Sequence, residues 1–304
     1  MWESLQNYLF PQQCLVCHGL LPIQDTSSPF SRFTCESCDP LRSTHHHLVL
    51  PALGRRRSPS GSIVVESSCV RCGELMYSVP DAEGLCSACF LWPPPYRRLQ
   101  SVFAYHGPME ALIKAYKYDR KKGLAQPFAM MLYAALVASA PDPETMPEQW
   151  DVIAPIPGSR QTHRTRGFHH TALLANQLAK LIGLPADELL RSAKSRKPQA
   201  ALNPQEREKN AFHCFYAIPG RHLGRYIGRG VRAKNSGLRV LLVDDVTTTG
   251  YTASSAALAL LEAGAGVVDI LTLARSPHFA SLRISYGGLA QERFVKASTK
   301  ASNQ

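Results

Sequence analysis

Beyond Pro93-Pro94-Pro95 the chain alternates between short apolar runs and stretches whose apolar positions recur at helical spacing. Leu99 to Tyr105 reads as a strand. Pro108 to Tyr118 reads as a helix, with Pro108 in its first turn and Met109, Leu112, Ile113 and Tyr116 on one face. Leu124 to Ser139 is a second helical stretch, and Asp151 to Ile156 is a short apolar run ahead of a turn, as in a buried strand. Thr171 to Ile182 has helical spacing through Leu173, Leu174, Leu178, Ala179 and Ile182, and Gly183 is placed to end it. Arg239 to Val243 is a continuous apolar strand, Thr252 to Leu261 the helix after it, and Val267 to Ala274 a further strand. Strands alternating with helices predict an α/β fold, a mostly parallel sheet covered on both faces.

The first ninety residues follow neither pattern. They hold eight of the nine cysteines and are rich in Ser, Pro and turn residues. Ser43 to Ser68 contains His45-His46-His47, Arg55-Arg56-Arg57 and Ser58-Pro59-Ser60-Gly61-Ser62, the composition of an irregular linker. The three prolines then form a stiff boundary, because each fixes its own φ and restricts the residue before it. The expected division is a Cys-rich module over 1–95, with a flexible linker at about 43–68, and an α/β domain over 96–304. A length of 304 residues fits two domains. A chain of this size buries a core without covalent staples, so the cysteines need another explanation.

The sharpest chemical signal is Val240-Leu241-Leu242-Val243-Asp244-Asp245-Val246-Thr247-Thr248-Thr249-Gly250-Tyr251-Thr252. Four apolar residues make a buried strand, and two acids sit at its carboxyl end, where open α/β sheets bind ligands. A Thr/Gly turn then leads into a helix, whose N–H groups and neighbouring hydroxyls suit a phosphate. Gly250 lets the chain bend where a side chain would obstruct it. Asp244 and Asp245 can accept hydrogen bonds from two neighbouring ribose hydroxyls. The structural alternative is that Asp and Thr merely cap a strand-to-helix turn. The loop lacks both Gly-Lys-Ser/Thr and G-x-G-x-x-G, so the ligand it suits is a ribose bearing a 5′-phosphate.

This string resembles the diphosphate-ribose motif of the type I phosphoribosyltransferases, and more narrowly that of the ComF/GntX family of competence-associated proteins. Pro155-Ile156-Pro157 followed by Arg164-Thr165-Arg166-Gly167-Phe168 carries the narrower likeness. So do Gln199, Leu202, Arg207, Asn210 and Ala211-Phe212, and Lys114, Lys117, Arg120 and Gly123 at the entry to the domain. The family commonly has Asn-Gln after Arg-Gly-Phe, where this chain has His169-His170.

The resemblance implies the type I phosphoribosyltransferase fold preceded by a small zinc-ribbon-like module. It implies phosphoribosyl diphosphate as ligand, with Mg2+ bridging diphosphate and ribose oxygens. Asp244 and Asp245 would hold the ribose, and Thr247, Thr248, Thr249, Gly250 and Thr252 would surround the 5′-phosphate. The turn after Pro157 would receive the diphosphate, with Arg164 and Arg166 as the catalytic pair beside it; a solvated basic turn is the other reading of those arginines. The implied reaction displaces diphosphate from the anomeric carbon by a nitrogen nucleophile. No purine- or pyrimidine-reading signature and no general base stands out. Two other functions stay open: a non-catalytic sensor or scaffold, and a DNA-uptake factor that binds single-stranded DNA or a helicase.

Cys14-x-x-Cys17 and Cys35-x-x-Cys38 are separated by seventeen residues, and Cys69-x-x-Cys72 and Cys86-x-x-Cys89 by thirteen. Two such turns complete a tetrahedron around structural Zn2+. Disulfides or redox pairs are the alternatives, and either local quartets or cross-braced turns would serve. Cys214, alone beside Phe215, reads as a core residue. His45, His46 and His47 read as solvated.

Charge adds a class of partner. A net charge of +11 and a pI near 9.3 attract anions, whether nucleic acid or a small polyphosphate. Arg221, Arg225, Arg229, Arg232, Lys234 and Arg239 run among glycines with no acid between them. They suit a basic hairpin over the site, a nucleic-acid contact or a plain exposed loop, and Lys194, Arg196 and Lys197 suit a closing loop. No apolar run is long enough to span a membrane: the longest, Phe128 to Ala140, falls short of about 18 residues. The N-terminus lacks the features of a signal peptide, so a cytoplasmic location, where thiols stay reduced, is expected.

Overall fold

The computed structural model describes residues 13–21, 28–42, 55–57, 63–65, 67–76, 84–158, 169–193, 214–218 and 237–276. Two antiparallel ribbons come first, β1 (Arg55–Arg57) with β2 (Ile63–Val65) and β3 (Ser67–Ser68) with β4 (Leu75–Met76). The short helix α1 (Ser87–Leu91) follows. Then come β5 (Arg98–Ala104), α2 (Gly107–Tyr118), α3 (Ala125–Ser139), β6 (Val152–Pro155) and α4 (His170–Ile182). A further ribbon pairs β7 (Leu190–Ser192) with β8 (Phe215–Ala217), and β9 (Leu238–Thr247), α5 (Tyr251–Glu262) and β10 (Ala265–Arg275) complete the order.

The four long strands form one parallel sheet in the order β5-β10-β9-β6, flanked by helices. Its two faces follow from alternation along the strand. Leu241, Val243, Leu271 and Leu273 bury against α2, α3 and α4. Val240, Leu242, Val268 and Ile270 bury against α5 and the β7–β8 ribbon. The helix ends have local causes: Pro108 lies in the first turn of α2, and Gly183, at φ +82°, closes α4 in the left-handed region.

Two results differ from the apolar pattern. Strand β9 runs on past Val243 through both aspartates to Thr247, because β10 stays paired with it as far as Arg275 opposite Thr247. Pairing with a distant neighbour is invisible to a local apolar run. The β7–β8 ribbon is likewise too short to show, and it brings Cys214 and Phe215 into the core, each only 7% exposed. Within the stretch read as a linker, Arg55–Arg57 and Ile63–Val65 pair as β1 and β2. No described helix is long and apolar enough to cross a membrane.

The amino end of the sheet is locked by buried carboxylates. Asp269 accepts from Arg97 Nε at 3.0 Å and from Trp150 Nε1 at 2.9 Å. Asp151 accepts from the backbone N–H of Arg239 at 2.8 Å and from its Nη2 at 2.7 Å. Replacing Asp269 with Ala strands the Trp150 N–H in the core and leaves Arg97 without its partner. Arg97 is half exposed and can turn to water, which lowers the cost. Urea unfolding of Asp269→Ala should show a loss of about 3 kcal/mol, the low end for a broken buried pair; an unchanged midpoint would contradict this reading.

Candidate ligand site and metal centres

The carboxyl end of the sheet gathers the residues singled out in β9. Asp245 is buried, and alternation turns it toward the same face as Leu241 and Val243. There Lys117 of α2 brings its Nζ to 2.8 Å from Oδ1, and His170 of α4 brings its Nε2 to 2.6 Å from Oδ2. The His170 carbonyl accepts from the Tyr116 hydroxyl at 2.6 Å, and the two rings meet edge to face. Thr171 Oγ1 donates to the Ile156 carbonyl at 2.9 Å, tying the start of α4 to the end of β6.

The two aspartates therefore differ. Burial pushes the Asp245 carboxyl up, but His170 and Lys117 outweigh it and hold the group at about 2. For Asp244, assigned by alternation to the opposite face, burial and then the charge of Asp245 outweigh Lys117 and push it up to about 8. The pair is therefore unequal, Asp245 the stronger acid and Asp244 the weaker.

After Asp245 the chain turns through Thr247, Thr248 and Thr249 to Gly250. Gly250 takes φ +76° at the N-terminus of α5 and offers no side chain to cap it. Thr248 and Thr252 are exposed, Thr249 is half-buried and Thr247 is buried. The positive end of a twelve-residue helix is thereby presented beside three threonines, an arrangement that suits an anion. Gly158, just past Pro157, has nothing among the described residues within 4 Å of where a Cβ would stand. Arg164 and Arg166 lie outside the described residues, as do His45, His46 and His47, Lys194, Arg196 and Lys197, and the basic residues from Arg221 to Lys234.

The cysteines resolve into two local quartets, Cys14/Cys17/Cys35/Cys38 and Cys69/Cys72/Cys86/Cys89, each with all its sulfurs within 4.8 Å of one another. None of the nine cysteines is in a disulfide. Cys17 and Cys35 Sγ are 3.7 Å apart and Cys72 and Cys86 Sγ 3.8 Å. Four sulfurs at about 2.3 Å from a tetrahedral zinc stand about 3.8 Å from each other, so the donor sets fit structural zinc. Burial pushes the Cys14 thiol up, yet N–H groups around Cys17, Cys35 and Val16 hold it at about 7. Burial pushes Cys38 up, and Cys69 is pulled down by hydrogen bonds from Cys72, Cys86 and Cys89.

Both knuckles pack on the α/β core. Phe30 of the first is fully buried, with its ring centroid 5.8 Å from that of Phe128 in α3. In the second, the Arg71 carbonyl accepts from the Leu99 N–H at 2.8 Å on edge strand β5. Gly73, at φ +69°, lies so close that a Cβ would stand 2.9 Å from the Leu99 carbonyl oxygen. Arg275, at the end of β10, donates to the Cys72 carbonyl and pairs with Glu74 at 2.6 Å. The next N–H, that of Ser276, donates to the Thr247 carbonyl at 3.0 Å, so the second knuckle is bonded to the strand end that carries the threonine turn.

Sequence reasoning named Asp244, Asp245 and the threonine turn, and the structure brings them together at one sheet end. It missed Lys117 and His170 as partners of Asp245. The signal was present in His169-His170, two histidines at the start of α4.

Two predictions follow from these geometries. A strong chelator at neutral pH should release two zinc ions per chain, measured by a colorimetric indicator, and should lower the thermal midpoint; Cys72→Ser should release one. For Asp244 the folded value is raised, so its contribution favours folding below about pH 4 and fades as pH rises toward 8. Asp244→Asn should therefore raise the thermal midpoint of the unliganded protein near pH 8 and leave it unchanged near pH 4.

No family model matches the chain. It is similar to DNA utilization protein YhgH of Salmonella typhimurium, 29% identical over 212 residues, which cover 69% of this chain and 85% of the relative. It is also similar to competence protein F of Haemophilus influenzae, 26% identical over 68% of this chain and 84% of the relative. Competence protein ComFC of Bacillus subtilis is 25% identical over 63% of this chain and 72% of its own length. With two four-cysteine knuckles ahead of a parallel sheet, the chain is similar to competence and DNA utilization proteins over about two thirds of its length.

Proposed function

We propose that this chain is a DNA-handling factor of the ComF type that binds single-stranded DNA or a helicase partner and carries a ribose-phosphate pocket at the carboxyl end of its sheet. The observation that carries this reading is the likeness, over about two thirds of the chain, to proteins named for DNA utilization and competence. The formal charge of +11 supports an anionic partner. A host lacking the chain should fail to incorporate labelled exogenous DNA, and the wild-type chain should restore uptake. Normal incorporation in the deletion strain would count against the reading.

A second reading, favoured by the β9–α5 turn, is phosphoribosyl transfer on a type I phosphoribosyltransferase fold, in the cytoplasm. The first turn of α5 and Thr247, Thr248, Thr249 and Thr252 would hold the 5′-phosphate of phosphoribosyl diphosphate. Asp244 would bond a ribose hydroxyl. Asp245, held by Lys117 and His170, would complete the ribose side, and Arg164 and Arg166 would face the diphosphate. A nitrogen nucleophile would form a bond to the anomeric carbon as the bond to diphosphate breaks. Magnesium would arrive on the substrate's own phosphates and supply positive charge to the leaving group. Among the described residues the only clusters of three or more metal-ligating side chains are the cysteine quartets.

Calorimetry with phosphoribosyl diphosphate and magnesium tests the pocket. Asp244→Ala should weaken binding about tenfold, the loss expected when one hydrogen bond to the ribose is removed. Equal affinity would remove Asp244 from the ribose site. Asp245→Asn is the less informative variant, because it leaves Lys117 unpaired in the core and destabilises the fold.

A further inference from the structure

We propose that the cleft between the second cysteine knuckle and the edge of the sheet is the seat of single-stranded DNA, with a base stacked on Phe90 and phosphates held by Arg71 and Arg97. The proposal rests on the DNA reading above and assigns it a surface.

Three apolar side chains of this knuckle face water: Val70 is 58% exposed, Phe90 64% and Leu91 51%. Their positions follow from the metal-ligand spacing. Val70 lies between the ligands Cys69 and Cys72, and Phe90 directly follows the ligand Cys89. A tight turn around an ion has sulfurs for a core, so the side chains between them point outward. Beside them lies a cleft of about 460 Å³ lined by Val70, Arg71, Leu85, Phe90, Pro93 and Arg97. That size falls within the usual range for a ligand pocket.

Among the described residues, 69–76 and 84–101 carry Arg71, Arg97 and Arg98 against Glu74; Asp81 and Glu83 lie between these stretches in the sequence. Glu74 is engaged by Arg275 at 2.6 Å and contributes little free negative charge. Arg97 is fixed by Asp269, which is itself only 2% exposed, while half of the arginine side chain remains in water. Asp269 takes up part of its charge, as Arg275 does that of Glu74, and leaves the guanidinium ordered and half exposed. An aromatic face beside fixed cations, over an apolar floor, is what a single strand needs: stacking is indifferent to base identity, and the cations track the backbone. A duplex hides its base faces in the stack and has nothing to offer Phe90. Zinc would keep the cleft rigid, since Cys89 anchors the residue next to the stacking ring.

The test uses the full-length, zinc-loaded chain and a fluorescein-labelled oligothymidylate of about twenty nucleotides, followed by anisotropy at several salt concentrations. Phe90→Ala and Phe90→Leu should each weaken binding about tenfold, because leucine keeps the bulk and loses the stacking face. Arg71→Gln should weaken binding and make the logarithmic salt slope shallower by about one. Tyr118→Ala, an exposed aromatic on α2 far from the cleft in sequence, should bind as wild type does. Zinc content and thermal midpoint of every variant should match wild type. Variants that bind as tightly as a binding-competent wild type would overturn the cleft and leave the DNA reading standing. A wild-type chain that binds no oligothymidylate would overturn the direct-DNA form of that reading and the cleft with it.

Discussion

A buried carboxylate at the end of the central strand has to be neutralised, and meeting that demand at Asp245 organises the carboxyl end of the sheet. An isolated anion there would cost far more than any single contact returns. Lys117 and His170 reach it from two different helices, which approach from the same face. Both helices are thereby fixed against β9 at one point, and Tyr116 secures the second of them through the His170 carbonyl. The neighbour, Asp244, inherits the opposite environment. It is pushed up by burial and by the very charge that Lys117 and His170 stabilise next door. One sequence motif, two adjacent aspartates, thus yields two carboxyls pushed in opposite directions.

The two knuckles extend this logic beyond the sheet. A four-cysteine turn is too small for a hydrophobic core of its own, and each here borrows one. The first inserts Phe30 beside Phe128 and packs Leu15, Val16 and Phe33 against the same cluster. The second lays its Arg71 carbonyl on the Leu99 N–H, using a hydrogen-bonding group that an edge strand would otherwise leave to water. The same contact covers an edge that could pair with another chain.

Much of the α/β half was legible because its signals are local. Apolar runs of strand length, helical spacing and a glycine at φ +82° after Ile182 mark elements without any knowledge of neighbours. The quartets were legible for the same reason, since Cys-x-x-Cys spacing is a property of one turn. What was hidden depends on partners far along the chain. The last four residues of β9 are strand because β10 pairs with them. Lys117 meets an aspartate well over a hundred residues away, and nothing in its own surroundings announces that. His170 was visible as a departure from the family's usual Asn-Gln, though its target was not.

Arg275 shows why the cysteine-rich half and the sheet cannot be treated as separate machines. Its guanidinium bonds the Cys72 carbonyl inside a knuckle and pairs with Glu74, two hundred residues away in sequence. Its backbone lies opposite Thr247, and the following N–H donates to the Thr247 carbonyl. A metal ion that holds Cys72 in place therefore also holds the partner of the residue that frames the threonine turn. The side chain is buried, so a shift of the Cys72 carbonyl would leave a desolvated cation short of an acceptor, a cost the structure avoids only while the knuckle keeps its shape. By this route a structural ion bears on a turn it never touches, and the geometry of the anion-facing end of the sheet becomes conditional on an intact knuckle.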